Sequence, residues 1–270
     1  MFPYNSLVLT ICLFCSFCAS SHTSSAQTQT PAKSSYFNCK KTNSAITVDG
    51  KADESAWENA DWSDYFTDIE GKNKPAPFYT TRFKMLWSDQ GLYIYAQLEE
   101  PQLQASLTKH DAIIFHDNDF EVFIDPGNDG LNYYEIEVNA LNTVWDLKLD
   151  KAYSKGGRPD NNWTAAGLET AVALMGSLNN PTDVDNGWSV EMFIPWNSFK
   201  ENQAPQLGES WKMNFSRVQW RFDTVDGSYL KRKDPKTGHS LPEYNWVWSP
   251  MGVVNMHIPE KWGAIKFVNE

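Results

Sequence analysis

The stretch that most restricts what this chain can fold into is residues 113–139, because its polarity alternates with a period of two on both sides of a dense turn. Strand residues point to opposite faces in turn, so such alternation marks strands that separate a core from an outer surface. On the first run Phe120, Val122 and Ile124 share one face, and Asp119, Glu121 and Phe123 share the other. Asp125-Pro126-Gly127-Asn128-Asp129-Gly130 is rich in turn formers. On the return run Tyr134, Ile136 and Val138 lie together, opposite Tyr133, Glu135, Glu137 and Asn139. The reading is a β-hairpin with a greasy side for a core and an outer side carrying acids, an amide and aromatics. In a simple register Glu137 and Asn139 share the outer face with Glu121, and cross-strand neighbours about 5 Å apart can touch one ligand.

The rest of the chain repeats this grammar. Strands are predicted at 46–48, 82–87, 92–98, 143–149, 170–174, 188–194, 211–222, 245–257 and 262–268. The segment 53–60 reads as one or two helical turns with Trp57 inward. Many short strands and almost no long helix predict an all-β antiparallel sandwich, jelly-roll-like, with short peripheral helices. No internal repeat or composition break interrupts residues 36–270, so one domain is predicted there.

Upstream, residues 7–19 are nearly all apolar but too short to span a bilayer comfortably. Small residues follow, ending Ser24-Ser25-Ala26, so residues 1–26 read as a secretory signal and 27–35 as a disordered tether. Export to the periplasm, cell surface or medium is expected, with no transmembrane segment in the mature chain. Lipidation at Cys18 is the alternative, although Cys15-Ser16-Phe17-Cys18 is a poor acylation signal. Of the 4 Cys only Cys39 lies beyond the apolar run, so no internal disulfide is expected. A formal net charge of −11 argues against nucleic acid and anionic membrane surfaces as partners. The 12 Trp exceed what a core alone requires and leave room for exposed stacking platforms.

An ordered set of short motifs carries a family resemblance. It runs Asp49-Gly50 with Trp57, Gly91-Leu92-Tyr93-Ile94, Asp119 to Asp125, and Gly187-Trp188-Ser189-Val190-Glu191 with Ile194-Pro195-Trp196. Trp248-Ser249-Pro250, His257-Ile258-Pro259-Glu260 and Trp262-Gly263 complete it. The chain resembles carbohydrate-binding module family 9, in a stand-alone secreted bacterial form. That resemblance implies a β-sandwich that binds a poly- or oligosaccharide between two aromatic rings without cleaving it, and glycoside hydrolases as partners. It also implies structural calcium in some members, for which the turn acids Asp125 and Asp129 with Asn128 are the candidates here. In the family pattern an aromatic, usually Trp, stands six residues before the motif's Glu; here those positions are Phe115 and Glu121. A second ring comes from the C-terminal loop, with Trp246, Trp248 and His257 as candidates.

Sugars present apolar C–H faces to rings and hydroxyls to planar polar groups. Phe115, Asp119, Glu121, Glu137 and Asn139 are therefore the candidate ligand groups on the hairpin. Arg217 and Gln219 continue a face begun by Met213 and Phe215, and a buried Arg217 needs a carboxylate partner, Glu121 or Glu137. Trp145, Trp188 and Trp211 read as core. No cofactor is required by this reading. Two other classes stay open. Paired carboxylates suit a glycoside hydrolase or lyase, with Glu137 or Glu191 as a partner for Glu121. Met85, Met256 and His257 are available as axial ligands for a b-type haem.

Overall fold

A computed structural model describes residues 35–199 and 204–269. The expected signal segment, Cys18 and residues 27–34 of the expected tether lie outside these. Ser35 is already docked, its hydroxyl donating to the Trp248 carbonyl at 3.1 Å.

Among the described residues fifteen strands follow in chain order. They are β1 (Tyr36–Lys41), β2 (Thr67–Asp68), β3 (Thr81–Trp87), β4 (Gly91–Glu99), β5 (Asp119–Asp125), β6 (Leu131–Asn139), β7 (Val144–Lys151) and β8 (Pro159–Asp160). Then come β9 (Glu169–Met175), β10 (Gly187–Pro195), β11 (Ser210–Gln219), β12 (Phe222–Val225), β13 (Ser228–Lys231), β14 (Tyr244–Val247) and β15 (Gly263–Val268). The predicted helix shrinks to the single turn Ser55–Glu58. The charged segment after β11 contains the separate hairpin β12–β13.

Thirteen strands form one curled sheet, in the order β8-β7-β6-β5-β11-β15-β1-β3-β4-β10-β9, with β14 joined to β11 and β2. The curl lays one half over the other, so the all-β, sandwich-like architecture read from the alternation holds. Phe83 of β3 packs on Phe215 of β11 with ring centroids 3.9 Å apart. The strands are not antiparallel throughout. β1 runs parallel to both β15 and β3, forming the seam between the halves. Parallel neighbours need a long connection rather than a tight turn, and a strand from one end of the chain meets that requirement.

The core holds Phe120, Val122 and Ile124 of β5 and Tyr134, Ile136 and Val138 of β6, together with Phe83, Ile94, Val190 and Met192 from the facing half. Burial of this face is the main drive for the fold. A smaller cluster sits on the outer face of the hairpin. There Phe123, Tyr133, Leu147 and Leu149 are roofed by Met251, Met256 and Trp262 of the loop after β14.

Glu191 is a structural group. It is fully buried in β10, where its carboxylate accepts the N–H groups of Asp49 (2.9 Å) and Gly50 (3.1 Å) and the Trp57 indole N–H (2.9 Å). Gly50 has φ of +90°, and a Cβ there would meet the Ala173 nitrogen at 2.7 Å, so the turn requires glycine. The Asp49-Gly50, Trp57 and Glu191 motifs are thus one joint between a turn, a helix and a strand. The catalytic partnership considered for Glu191 fails, because its oxygens are already engaged far from the hairpin acids. Met85 is likewise fully buried in the main core and is not available as a haem ligand beside His257.

Candidate functional site

The outer face of β5 and β6 is only partly roofed, and where the C-terminal loop stops a cleft of about 290 Å³ opens. Register sets its floor. Glu121 pairs with Glu137, Phe123 with Glu135, and Asp119 with Asn139. In β7, Trp145 pairs with Glu137, which brings its ring to the same face. Phe115 reaches the cleft from a 3-10 turn at Ile114–His116. That turn is anchored twice. The Phe115 N–H donates to Glu137 Oε2 at 3.0 Å, and its carbonyl accepts the Trp220 indole N–H at 2.8 Å. The Phe115 and Trp145 rings lie 6.1 Å apart at 38°. On the other side Tyr153 meets the His257 ring edge-on at 4.5 Å. The His257 Nδ1 pairs with the Tyr133 hydroxyl at 3.0 Å, and its Nε2 lies 4.0 Å from Glu135 Oε2.

The floor is electrostatically unusual. Burial pushes the Glu121 carboxyl up to about 7, and the Glu243 charge adds to that. Burial and then the Glu121 charge push Glu135 up to about 8. Glu137 and Asp119 are raised well above the carboxylate range, again by burial first and by Glu121 second. His257 moves the opposite way, because burial disfavours its cation and lowers it to about 4. Near neutral pH this floor therefore holds protons and can donate as well as accept hydrogen bonds.

Among the predicted site residues, Phe115, Glu121, Glu137 and His257 line the cleft. Asp119 lies beneath it, with an oxygen within 4.8 Å of those of Glu121 and Glu137. Asn139 does not line it. Its amide donates to the Leu107 carbonyl and Asp117, and its Oδ1 accepts the N–H groups of Leu141 and Thr143, so it ties the strand end to a neighbouring loop. Arg217 is buried on the core face and pairs with Glu100 at 3.0 Å, not with Glu121 or Glu137. It also bonds Thr81 and Gln219, which fixes Gln219 in the same buried network. Trp246 lies in the core beside the Arg217 guanidinium, 5.3 Å from its ring. Trp248 packs edge-on against Phe83. Asp125, Asn128 and Asp129 form the hairpin turn. Asp125 Oδ2 accepts the Gly130 N–H and Asp129 Oδ1 the Leu131 N–H, while Asp125 Oδ1 is buried with no hydrogen-bond partner.

Glu135, Trp145 and Tyr153 are among the lining groups that escaped the sequence reading. Glu135 was placed on the outer face but not in the site. Trp145, expected in the core, is half-buried and forms a wall. Tyr153 stands in a short turn after β7, outside every predicted strand. The outer-face parity of β6 was the signal available for Glu135.

Residues 48–256 match the family model for the carbohydrate family 9 binding domain-like domains. Endo-1,4-beta-xylanase A of Thermoanaerobacterium saccharolyticum is 28% identical over 167 residues, 62% of this chain and 12% of that enzyme. Exoglucanase XynX of Acetivibrio thermocellus is also 28% identical, over 62% of this chain and 13% of the enzyme. The chain thus spans a small fraction of the curated relatives it matches. A solved Bacteroides uniformis protein, described as carbohydrate-binding, superposes with a TM-score of 0.62 at 18% identity, over 87% of this chain and 100% of that one. A family 9 carbohydrate binding module from Caldicellulosiruptor kristjanssonii in complex with cellotriose gives 0.56 at 16% identity, over 88% of this chain and 95% of that one.

Proposed function

The chain belongs to the carbohydrate family 9 binding domain-like family, and from that premise we propose that its outer cleft binds a saccharide without cleaving it. The observation that carries this reading is the cleft itself, with Phe115, Trp145 and Tyr153 as walls over the Glu121, Glu135 and Glu137 floor. Rings take the C–H faces of a pyranose, and carboxyl groups take its hydroxyls. The acids all rise from one floor. Glycoside cleavage sets two carboxyls on flanking sides of the bond, about 5 Å or more apart. The ligand class we assign is a 1,4-β-linked saccharide chain, from the xylanase relatives and the cellotriose-bound neighbour. Export, and work beside secreted polysaccharide-degrading enzymes, fit the same ligand. Among the described residues no helix is long and apolar enough to cross a membrane.

Calorimetric titration with 1,4-β-linked gluco- and xylo-oligosaccharides tests the proposal, with reducing-end release followed on the same samples. Saturable binding with no new reducing ends is expected. Release of reducing ends overturns the non-catalytic reading, and absence of binding across the series overturns the saccharide reading.

A further inference from the structure

The charge of the cleft has one sign. Glu121, Glu135, Glu137 and Glu243 line it, and no Lys or Arg is among its lining residues. Its single imidazole, His257, stays neutral because burial lowers its pKa to about 4. Beneath the floor Asp119 is fully buried. Its Oδ1 accepts the Val218 N–H at 3.0 Å, while its Oδ2 has no hydrogen-bond partner. Nearby cations are committed elsewhere, Arg217 to Glu100, Lys155 to Glu260 and Lys231 to the Trp220 ring. Lys231 lies near Glu243 at the rim; buried carboxyls ordinarily come with a counter-charge, yet among the described residues no Lys or Arg pairs with Glu121, Glu135 or Glu137.

The walls add a second, independent preference. Phe115, Trp145 and Tyr153 present aromatic surface around the acids, and ring faces attract organic cations. Resting on the saccharide reading, we propose that the cleft selects sugars bearing a free amine, so that a protonated 2-amino sugar within a 1,4-β-linked chain binds more tightly than its neutral counterpart. The ammonium provides the missing positive charge and three N–H donors to carboxylate oxygens. The pyranose ring keeps its C–H faces for the walls. A bare divalent cation suits the site less well. Asp119, Glu121 and Glu137 offer oxygens within 4.8 Å of one another, but an ion held there leaves the aromatic walls without a role.

Displacement of protons follows from the same geometry. The empty floor holds protons near neutral pH, and an arriving ammonium favours the ionised carboxylates, so binding releases protons to solvent. A neutral sugar has no such effect.

The test is calorimetry on the whole protein near neutral pH, in two buffers of different ionisation enthalpy. The probes are a β-1,4-glucosamine tetrasaccharide, its fully N-acetylated form, cellotetraose, and calcium chloride alone. The free-amine ligand is expected to bind at least tenfold more tightly than either neutral saccharide, to release protons, and to lose part of its advantage in high salt. Glu135→Gln and Glu137→Gln, each checked by circular dichroism, are expected to shrink the preference. Equal or weaker binding of the amine overturns the inference and leaves the saccharide reading standing. No binding of any saccharide overturns both. Micromolar calcium binding that abolishes the amine preference assigns the floor to a metal and overturns the inference.

Discussion

Glu121 and Glu137 stand directly opposite each other in the β5–β6 ladder, two buried acids in register on the face that lines the cleft. Like charges placed opposite one another across strands destabilise a sheet. Once ionised, such a pair is a cost to the fold, and Glu121 should be easier to remove for stability than for binding. Glu121→Gln keeps the shape and removes the charge. The melting temperature is expected to stay level or rise at pH 8, while saccharide affinity falls by about tenfold or more, in line with about 1.5–3 kcal/mol for hydrogen bonds to charged groups. Thermal melts paired with calorimetry check this, and a large drop in melting temperature marks Glu121 as a structural residue.

Stability should fall as pH rises through neutrality. In the unfolded chain a glutamate loses its proton near 4.5, whereas folded Glu121 keeps its proton to about 7 and folded Glu135 to about 8. Glu191 also keeps its proton to about 7. Between these values the folded state binds more protons, so its advantage is full at low pH and is lost on raising pH through about 7 to 8, with a slope near 1.4 kcal/mol per pH unit for each proton. His257 acts oppositely, losing stability as pH falls from 6.5 towards about 4. The window from 6.5 to 8 therefore reports the carboxyls alone. Urea unfolding across that window is expected to show a declining midpoint, and Glu135→Gln is expected to flatten the decline.

The walls and the core should respond differently to loss of a ring. Trp145→Ala removes a half-exposed cleft wall, and its affinity loss is expected near 0.5–1.5 kcal/mol, the range of an aromatic contact beyond its buried area. Trp188 is 1% exposed in the main core, so Trp188→Ala is expected to cost about 3–5 kcal/mol of stability. Chemical denaturation and saccharide titration of the two variants separate the roles. Equal destabilisation by both would return Trp145 to the core.

Arg217→Ala leaves Glu100 buried without its guanidinium, and breaking such a pair costs about 3–5 kcal/mol. The Glu100→Gln, Arg217→Ala double variant is expected to recover part of this, because no buried charge is then stranded. Saccharide affinity per folded molecule is expected to hold. A cycle of denaturation curves measures the coupling, and a selective loss of binding in Arg217→Ala would place that residue in the ligand's path.

How much of this was legible depended on parity and register. The inward face of the hairpin was readable because Phe120, Val122 and Ile124 alternate without a break. Arg217 was correctly read as a charge on the core face, but its partner was not. Ser216, not Arg217, is the residue paired with Glu121 across β5 and β11, and an offset of one residue reverses the face. Trp145, Leu147 and Leu149 share a face, yet the loop after β14 covers the two leucines and leaves the indole at the cleft. Nothing local to β7 states where that roof ends. Trp246 and Trp248 sit in a segment that looked like a binding loop, because their contacts with Arg217 and Phe83 come from strands far away in the chain.

The seam at β1 governs how the molecule comes into being. Tyr36 is hydrogen-bonded in register with Ala264, and Lys40 with Val268. Strand β1 touches β3 early in the sequence but completes its pairing only when β15 is available. Contacts this distant in sequence make for slow folding, so closure of the β1–β15 seam is expected to be a late step in assembly of the domain.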